Sequence, residues 1–176
     1  GLNGTVFGAT GTAFAVFENR TPDSQNCVLK NNLVAGSVGG AVRFDATEHT
    51  GTVCDKNHYY LPGETTPFLY EGAAKTLTQW QALGYDTTGF HSTHGLSVDP
   101  CFTNIASGDF SLSAESPDIQ AGEDLSAYFT LDMAGKPRVN WSLGAIESAT
   151  GNGAEETSGY LALSVGGNHL VLAVSV

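Results

Sequence analysis

The chain has 176 residues, and its 18 acidic residues outnumber its 7 basic ones to give a formal charge of −11. Nucleic-acid binding needs clustered cations that displace counterions, so this composition argues against DNA or RNA as a partner. Charged residues make up only 14% of the chain and 22 residues are glycine, which favours short strands and turns over long amphipathic helices.

The two ends of the chain lie within patterned sequence. Gly1 to Gly4 already lie in the middle of the pattern, and Ser175 and Val176 end inside an apolar strand-like run. We therefore expect a fragment or processed piece of a larger protein that has a further N-terminal region. No apolar run approaches the roughly 20 residues needed to cross a bilayer, so the sequence predicts no membrane span.

Short apolar runs recur at a regular interval in the first part of the chain. They occupy 14–17, 41–44 and 68–70. Phe44 follows Phe17 by 27 positions, and Tyr70 follows Phe44 by 26 positions. A repeated interval of this length indicates strands stacked as successive rungs of a solenoid.

Cysteines and asparagines repeat at the same interval. Cys54 follows Cys27 at the spacing that separates Phe17 from Phe44, and Asn57 follows Asn31 at the spacing that separates Phe44 from Tyr70. Corner asparagines, Asn31 or Asn32 with Asn57, are expected to hydrogen-bond between rungs. Cys27 and Cys54 would occupy matching positions, where they could form a disulfide in an oxidising compartment or stack as reduced thiols.

A short capped helix is predicted after the third apolar run. Thr76 can act as the N-cap, Gln79 stands at the third helical position and Gly84 can end the helix. The helix would begin a cap that covers the last rung, which would otherwise expose an apolar face and an unpaired strand edge.

Five motifs between 99 and 147 carry a resemblance to a known superfamily. They are Asp99-Pro100-Cys101-Phe102, Gly108-Asp109-Phe110-Ser111-Leu112, Ser116-Pro117-Asp118-Ile119-Gln120-Ala121-Gly122, Asp132-Met133-Ala134-Gly135-Lys136-Pro137-Arg138 and Leu143-Gly144-Ala145-Ile146-Glu147. In this order they resemble the end of secreted right-handed parallel β-helix proteins, a superfamily that includes alginate-lyase-like and pectinase-like enzymes. The resemblance implies an all-β fold, a C-terminal cap with one short helix, and an extracellular or cell-surface location.

The tail differs in composition from the rest. Residues 148–159 are small, polar and acidic, as in a linker. The apolar stretches 160–165 and 169–176 flank Gly166-Gly167-Asn168 and predict a β-hairpin. We therefore divide the chain into 1–147, the coils with their cap, and 148–176, a linker and hairpin that could belong to a further domain or to an assembly element.

One face of the predicted coils collects titratable residues. If Phe17 and Phe44 point inward, the outward positions and the next corner carry Glu18, Arg43, Asp45, Lys56 and His58. A lyase could use Arg43, Lys56 and His58 as base and charge-stabilising cation. A glycosidase could instead pair Glu18 with Asp45 or Glu48, and a solvated charged surface is the non-catalytic alternative.

Glycan-binding candidates lie near this face. Glu48 and His49 extend the same charged region, and Tyr59, Tyr60 and Tyr70 are expected to be exposed aromatics whose faces could stack on sugars. The acidic charge would repel an acidic polysaccharide on average. Glycans or further copies of the chain are thus the expected partners.

Metal binding is a weaker possibility. His91 and His94 are three residues apart with Asp86 and Asp99 nearby, a set that could ligate zinc. Since Asp99 and His91 also belong to the cap segment, we expect no transition metal, and either no cofactor or Ca²⁺ on surface oxygens.

The Asp132 and Arg138 pair has a structural interpretation as well as a catalytic one. An ion pair from Arg138 to Asp132 or Glu147 would hold the terminal turn. The sequence thus favours a structural, adhesive or glycan-binding β-helix module. The alternatives are part of a polysaccharide lyase or glycosidase, and a self-assembling surface subunit.

Overall fold

The computed structural model describes residues 26–36, 40–44 and 50–148, together with the backbone of 5–7, 14–16, 159–165 and 168–174. This part of the chain consists mostly of short strands with one short α-helix. The strands before the helix are β1 (Thr5–Phe7), β2 (Phe14–Val16), β3 (Val28–Lys30), β4 (Leu33–Ala35), β5 (Val42–Phe44), β6 (Val53–Asp55), β7 (His58–Tyr60), β8 (Phe68–Tyr70) and β9 (Ala73–Lys75). The helix α1 (Leu77–Ala82) is followed by β10 (Phe102–Asn104), β11 (Asp109–Leu112), β12 (Gly159–Val165) and β13 (Asn168–Val174), with 3₁₀ turns at Phe90–Ser92 and Ile105–Ser107.

The first eight strands pair in parallel across three sheets. The sheet orders are β1-β4-β7, β2-β5-β8 with β9 added at its edge, and β3-β6. Thr5 pairs with Leu33 and Leu33 with His58, so the second interval is shorter than the first by three positions. Each strand therefore pairs with the strand three places further along the chain, and the intervening corners absorb the differences in length.

The predicted register is correct for one pair of rungs and wrong for another. Phe44 pairs with Tyr70, as the spacing predicts. Phe44 pairs with Val16 on its other side, not with Phe17. The interval there is one position longer than predicted, so the predicted register between β2 and β5 is wrong by one residue.

The core lies between the sheets and the helix. Val42 and Phe44 are buried while Arg43 is only partly buried, as expected for a strand with one face toward the core. The largest fully buried side chains include Trp80, Tyr59, Phe44, Phe68 and Leu29. Phe68 and Trp80 stack with ring centroids 4.8 Å apart, which joins the helix to the last parallel strand.

Helix α1 has the caps predicted from its sequence. The Gln79 backbone N–H donates to Thr76 Oγ1, and the Thr76 N–H donates to Gln79 Oε1 at 2.9 Å. This reciprocal capping box satisfies two donors at the N-terminus of the helix. Only Trp80 of the helix is buried, so the helix presents one large side chain to the core.

Strand β9 pairs antiparallel with β8 and closes the edge of that sheet. Further on, β10 and β11 form a small antiparallel pair. The terminal turn around Asp132 follows, and there Arg138 is held 3.6 Å from Glu147 and donates to the carbonyls of Ser142 and Gly144. The structural interpretation of Arg138 is therefore confirmed.

The predicted C-terminal hairpin is present. Strands β12 and β13 pair antiparallel from Gly159 opposite Val174 to Val165 opposite Asn168. Most of the predicted linker, 149–158, lies outside the described residues. No helix in the described part of the chain is long and apolar enough to span a bilayer.

Candidate functional site

The predicted cluster of catalytic candidates lies only partly within the described residues. Glu18, Asp45, Glu48 and His49 lie outside the described residues. His58, expected to point outward into solvent, is fully buried. This correction has a clear cause: the segment that follows α1 covers β7 at His58, although Tyr60 on the same strand stays half-buried.

His58 is held between this segment and β7. Its Nδ1 lies 2.8 Å from Asp118 Oδ1 and its Nε2 lies 3.0 Å from the carbonyl oxygen of Val98. The Phe90 ring stacks on the imidazole at 3.8 Å between centroids. Burial raises the pKa of the Asp118 carboxyl, and the hydrogen bond from His58 partly offsets this rise. With both nitrogens occupied, the imidazole is bound into the structure and has no position left for a substrate.

Asp86 is the centre of a buried polar network. Its Oδ2 accepts from the Trp80 indole N–H at 3.0 Å and from the Tyr59 hydroxyl at 2.9 Å, and the Cys54 thiol lies 3.4 Å away. Its Oδ1 accepts from the Asn57 side-chain amide at 2.9 Å and from the Asn57 backbone N–H at 3.2 Å. Burial raises the pKa of this carboxyl, although the hydrogen bonds counteract the effect.

The neighbours of Asp86 are held in their neutral forms. Burial first, and the nearby Asp86 second, raise the pKa of the Cys54 thiol and of the Tyr59 hydroxyl well above their ordinary values. A thiol is nucleophilic only as the thiolate. Cys54 is thus suited to packing and weak hydrogen bonding and not to nucleophilic chemistry.

His91 connects the same segment to the backbone of β7. Its Nε2 accepts from the Tyr59 N–H at 2.8 Å, and its Nδ1 lies 2.9 Å from the carbonyl oxygen of His94. The carbonyl can only accept, so Nδ1 carries the proton and the ring is neutral. Burial lowers the pKa of His91 to about 4.

The candidate metal ligands are used in these contacts instead. Asp86 and His91 bind protein donors and acceptors, while His94 and Asp99 are exposed. Within the described ranges, no group of three or more His, Cys, Asp or Glu side chains could hold a metal ion.

A pair of asparagines joins the residue before β4 to the residue before β7, as predicted for Asn31 or Asn32 with Asn57. The Asn32 side-chain amide donates to Asn57 Oδ1 at 2.8 Å, and the Asn32 backbone N–H donates to the same oxygen at 3.0 Å. The Asn57 amide in turn reaches Asp86. The ladder therefore continues from one rung to the next and then into the segment after α1.

Asn31 makes a separate connection to the terminal segment. Its side-chain amide donates to the Glu123 carbonyl at 2.7 Å, and its Oδ1 accepts the Glu123 N–H at 2.9 Å. A Cβ on Gly122 would lie 2.4 Å from the Trp141 carbonyl oxygen and 2.9 Å from the Asn31 amide nitrogen. Gly122 is therefore required at this position, because the Trp141 backbone and the Asn31 side chain leave no room for a Cβ atom.

Two of the three candidate sugar-stacking tyrosines remain partly accessible. Tyr59 is fully buried in the core, which corrects its prediction as an exposed aromatic. Tyr60 and Tyr70 are half-buried. The negative charge of Asp99 raises the pKa of the Tyr60 hydroxyl, with burial as a smaller cause.

Lys56 lies in a small charged group at the surface. Its Nζ is 3.8 Å from Glu123 Oε2, and Lys30 Nζ is 2.7 Å from Glu123 Oε1. The sequence did not identify Glu123 as a partner, since it lies 93 residues from Lys30. Partly exposed pairs of this kind contribute little to stability, about 0–1 kcal/mol each.

The two cysteines predicted to stack lie out of register. Cys54 pairs with Leu29, and the Cys27 carbonyl accepts from the Val53 N–H. The interval between these rungs is two positions shorter than predicted, so the cysteines are offset along the strands, by roughly 8 Å between Cα atoms. That separation exceeds what a disulfide spans, and no disulfide joins any of the three cysteines.

We expect thiol titration in denaturant without reductant to give three thiols per chain, because no two of the cysteines form a disulfide. Cys27→Ser should lower the count to two. A count of one thiol in the unsubstituted chain, with a disulfide mapped between Cys27 and Cys54, would contradict the observed register of β3 and β6.

Together, these contacts define a cap junction. It consists of Asn57, His58, Tyr59, Asp86, His91 and Asp118. Each of its polar groups bonds the last rung to the segment between α1 and the terminal turn, so the arrangement fixes two parts of the chain to each other. No family model, curated protein or solved structure matches the chain.

Proposed function

We propose that this chain is the capped C-terminal end of a right-handed parallel β-helix and serves as a rigid structural, adhesive or glycan-binding module outside the cell or at its surface. The parallel pairs, which recur at nearly constant intervals along the chain, support the stacked arrangement. Parallel strands joined by a crossover within one sheet are right-handed in nearly all proteins, which supports the proposed hand.

The observation that carries the structural role is the cap junction. Its imidazoles and carboxylates are the groups from which a catalytic site would be built, yet all four are buried. His58 bonds to Asp118, while Asp86 and His91 accept hydrogen bonds from Asn57 and from the Tyr59 backbone. A general acid or base must reach the proton that it transfers. These four residues instead hold the closing segment on the last rung.

A cap has a physical purpose at this position. The outer face of β7 and the edge of β8 would otherwise present apolar side chains and unpaired backbone groups to solvent, which promotes association between chains. Here β9 pairs with the edge of β8, and Phe90 and Asp118 cover His58 on β7. The segment thereby ends the stack without leaving a template for another strand.

Glycan binding is the part of the proposal that concerns the surface. Tyr60 on β7 and Tyr70 on β8 are partly exposed, and an aromatic ring that is accessible on one face can stack on a sugar ring. The net negative charge favours neutral over acidic glycans.

A depolymerisation assay tests the proposal against the enzymatic alternative. The chain is incubated with alginate, pectin and a panel of neutral glycans, and both unsaturated-product absorbance and reducing ends are followed. We expect no turnover above the blank, and we expect any binding to neutral glycans to weaken in Tyr60→Ala.

Turnover that is lost in Arg43→Ala would overturn the structural assignment and establish a lyase or glycosidase. Lys136→Ala is the matched control, since it removes an exposed cation from the terminal turn, remote in sequence from Arg43. Loss of turnover in both variants would indicate a general charge effect, and turnover retained in both would indicate a contaminating activity.

A further inference from the structure

The terminal turn has an outer face made of apolar side chains. Residues alternate between buried and exposed on both sides of the turn: Asp132 and Arg138 are buried, whereas Leu131, Met133 and Val139 are exposed. Leu131 bridges to Pro137, and the Arg138 N–H donates to the Thr130 carbonyl, so the two sides pair as a small antiparallel hairpin. The polar residues face the protein and the apolar ones face outward.

The exposure of this face is large. Met133 is 77% exposed, Val139 72% and Leu131 53%, and Tyr128 beside them is 75% exposed. Four of the seven large apolar residues that are exposed in the described ranges therefore lie within twelve residues of one another. Clusters of this kind mark surfaces that another element covers.

The chain leaves the described body next to this face. The Glu147 N–H donates to Asp132 Oδ2 at 2.9 Å, and the Met133 N–H donates to the Ala145 carbonyl at 3.0 Å. Residues 149–158 then lead to β12, and a fully extended segment of that length reaches about 35 Å. The C-terminal hairpin therefore starts within reach of the outer face of the turn.

The hairpin has the complementary pattern. Its register places Leu161 opposite Leu172 and Leu163 opposite Leu170. Residues two apart in a strand belong to the same face, so these four leucine positions form one side of the β12-β13 ribbon. A two-stranded hairpin alone is marginal in water, and it gains stability only when such a face is covered.

We propose that the leucine side of β12 and β13 docks on the outer face of the terminal turn of the same chain, over Leu131, Met133 and Val139. The short connection makes this contact intramolecular and favours it over contact with a second copy by raising the effective concentration of the hairpin. The hairpin is then a second closing element that lies over the cap.

Met133 reports directly on this contact, because it is the single methionine of the chain. An exposed thioether is oxidised by hydrogen peroxide to the sulfoxide, with peroxide reduced to water. We expect Met133 in the unsubstituted chain to be oxidised at least about tenfold more slowly than Met133 in the Leu163→Asp variant. This ratio corresponds to a docked state that is populated about 90% of the time. Peptide mass mapping separates this product from cysteine oxidation.

Ala162→Asp is the matched control, since it introduces the same charge one position away, on the other side of the ribbon. It should leave Met133 protected, whereas a substitution that merely unfolded the hairpin would expose Met133 in both variants. Val139→Asp tests the other partner and should speed amide exchange in 159–174, while Ile105→Asp, at an exposed apolar residue elsewhere, should not.

Equal rates of Met133 oxidation in the unsubstituted chain, in Leu163→Asp and in Ala162→Asp would overturn the proposal. Protection that disappears on dilution, together with a dimer in sedimentation, would also overturn it and assign the leucine side to contact between copies.

Discussion

Asp86→Ala should lower the free energy of unfolding by at least about 4 kcal/mol, because it leaves several buried donors without an acceptor. The Trp80 indole, the Tyr59 hydroxyl and the Asn57 amide all donate to this one carboxylate. Each buried donor left unpaired costs about 1–3 kcal/mol. Urea denaturation followed by near-ultraviolet circular dichroism, to which Trp80 and Trp141 both contribute, measures the loss.

Asp86→Asn is the informative companion. It keeps the shape and one carbonyl oxygen, so its cost should be smaller, about 2 kcal/mol. Asp124→Ala is the surface control, since this exposed carboxylate accepts from the backbone N–H and the side chain of the nearby Ser126, and its effect should stay within about 0.5 kcal/mol. Equal stabilities for Asp86→Ala and Asp124→Ala would show that the network around Asp86 does not hold the cap.

The elements with local signals are the ones that the sequence predicts well. Helix α1 is specified by Thr76 and Gln79, which satisfy the helix terminus within four residues of each other. The C-terminal hairpin is specified by apolar runs on either side of Gly166-Gly167. In both cases the partners are close in sequence, so no long-range information is needed.

The register between rungs depends on information that the sequence does not carry locally. The observed intervals differ from one another by up to three positions because the corners differ in length. A prediction that assumes a nearly constant spacing therefore pairs Phe44 with Tyr70 correctly. It places Cys27 two positions away from the observed partner of Cys54, and Phe17 one position away from the observed partner of Phe44. Apolar residues at both candidate positions gave no means of choosing between registers.

The cap junction was missed for a different reason. Histidine, tyrosine and aspartate are often at least partly exposed, and the prediction placed His58, Tyr59 and Tyr60 of β7 at the surface. The partners that bury them lie 27 to 60 residues away. One signal was available: a strand rich in aromatic and polar residues beside an asparagine corner, immediately before a cap segment that contains further His and Asp residues.

The stability of the chain should also fall in mild acid because of His91. An unfolded imidazole titrates near pH 6.5, while burial lowers the pKa of His91 in the folded protein to about 4. Between these pH values the unfolded state binds the proton and the folded state does not, so the free energy of unfolding decreases as the pH falls. The stabilisation is complete above about pH 6.5 and has been lost below about pH 4.

The contacts of His91 explain why its pKa is lowered in the folded protein. Protonation would place a hydrogen on Nε2, which accepts the Tyr59 N–H, and the proton on Nδ1 is already directed at the His94 carbonyl. Charging the ring would therefore break a hydrogen bond to β7 and bury a cation. The difference between the two pKa values corresponds to about 3 kcal/mol.

His91→Gln isolates this contribution from the other titrating groups. The glutamine oxygen can accept the Tyr59 N–H but does not titrate, so we expect the stability advantage of the unsubstituted chain to shrink by about 3 kcal/mol between pH 7 and pH 4. His94→Gln, at an exposed position, should parallel the unsubstituted chain over that range. The burial of Asp118 acts in the opposite sense, since a raised carboxyl pKa adds stability as the pH falls, and it cancels in this comparison. An NMR titration that places the His91 ring near pH 6.5 would show that the imidazole is accessible to solvent and that the cap does not close over β7.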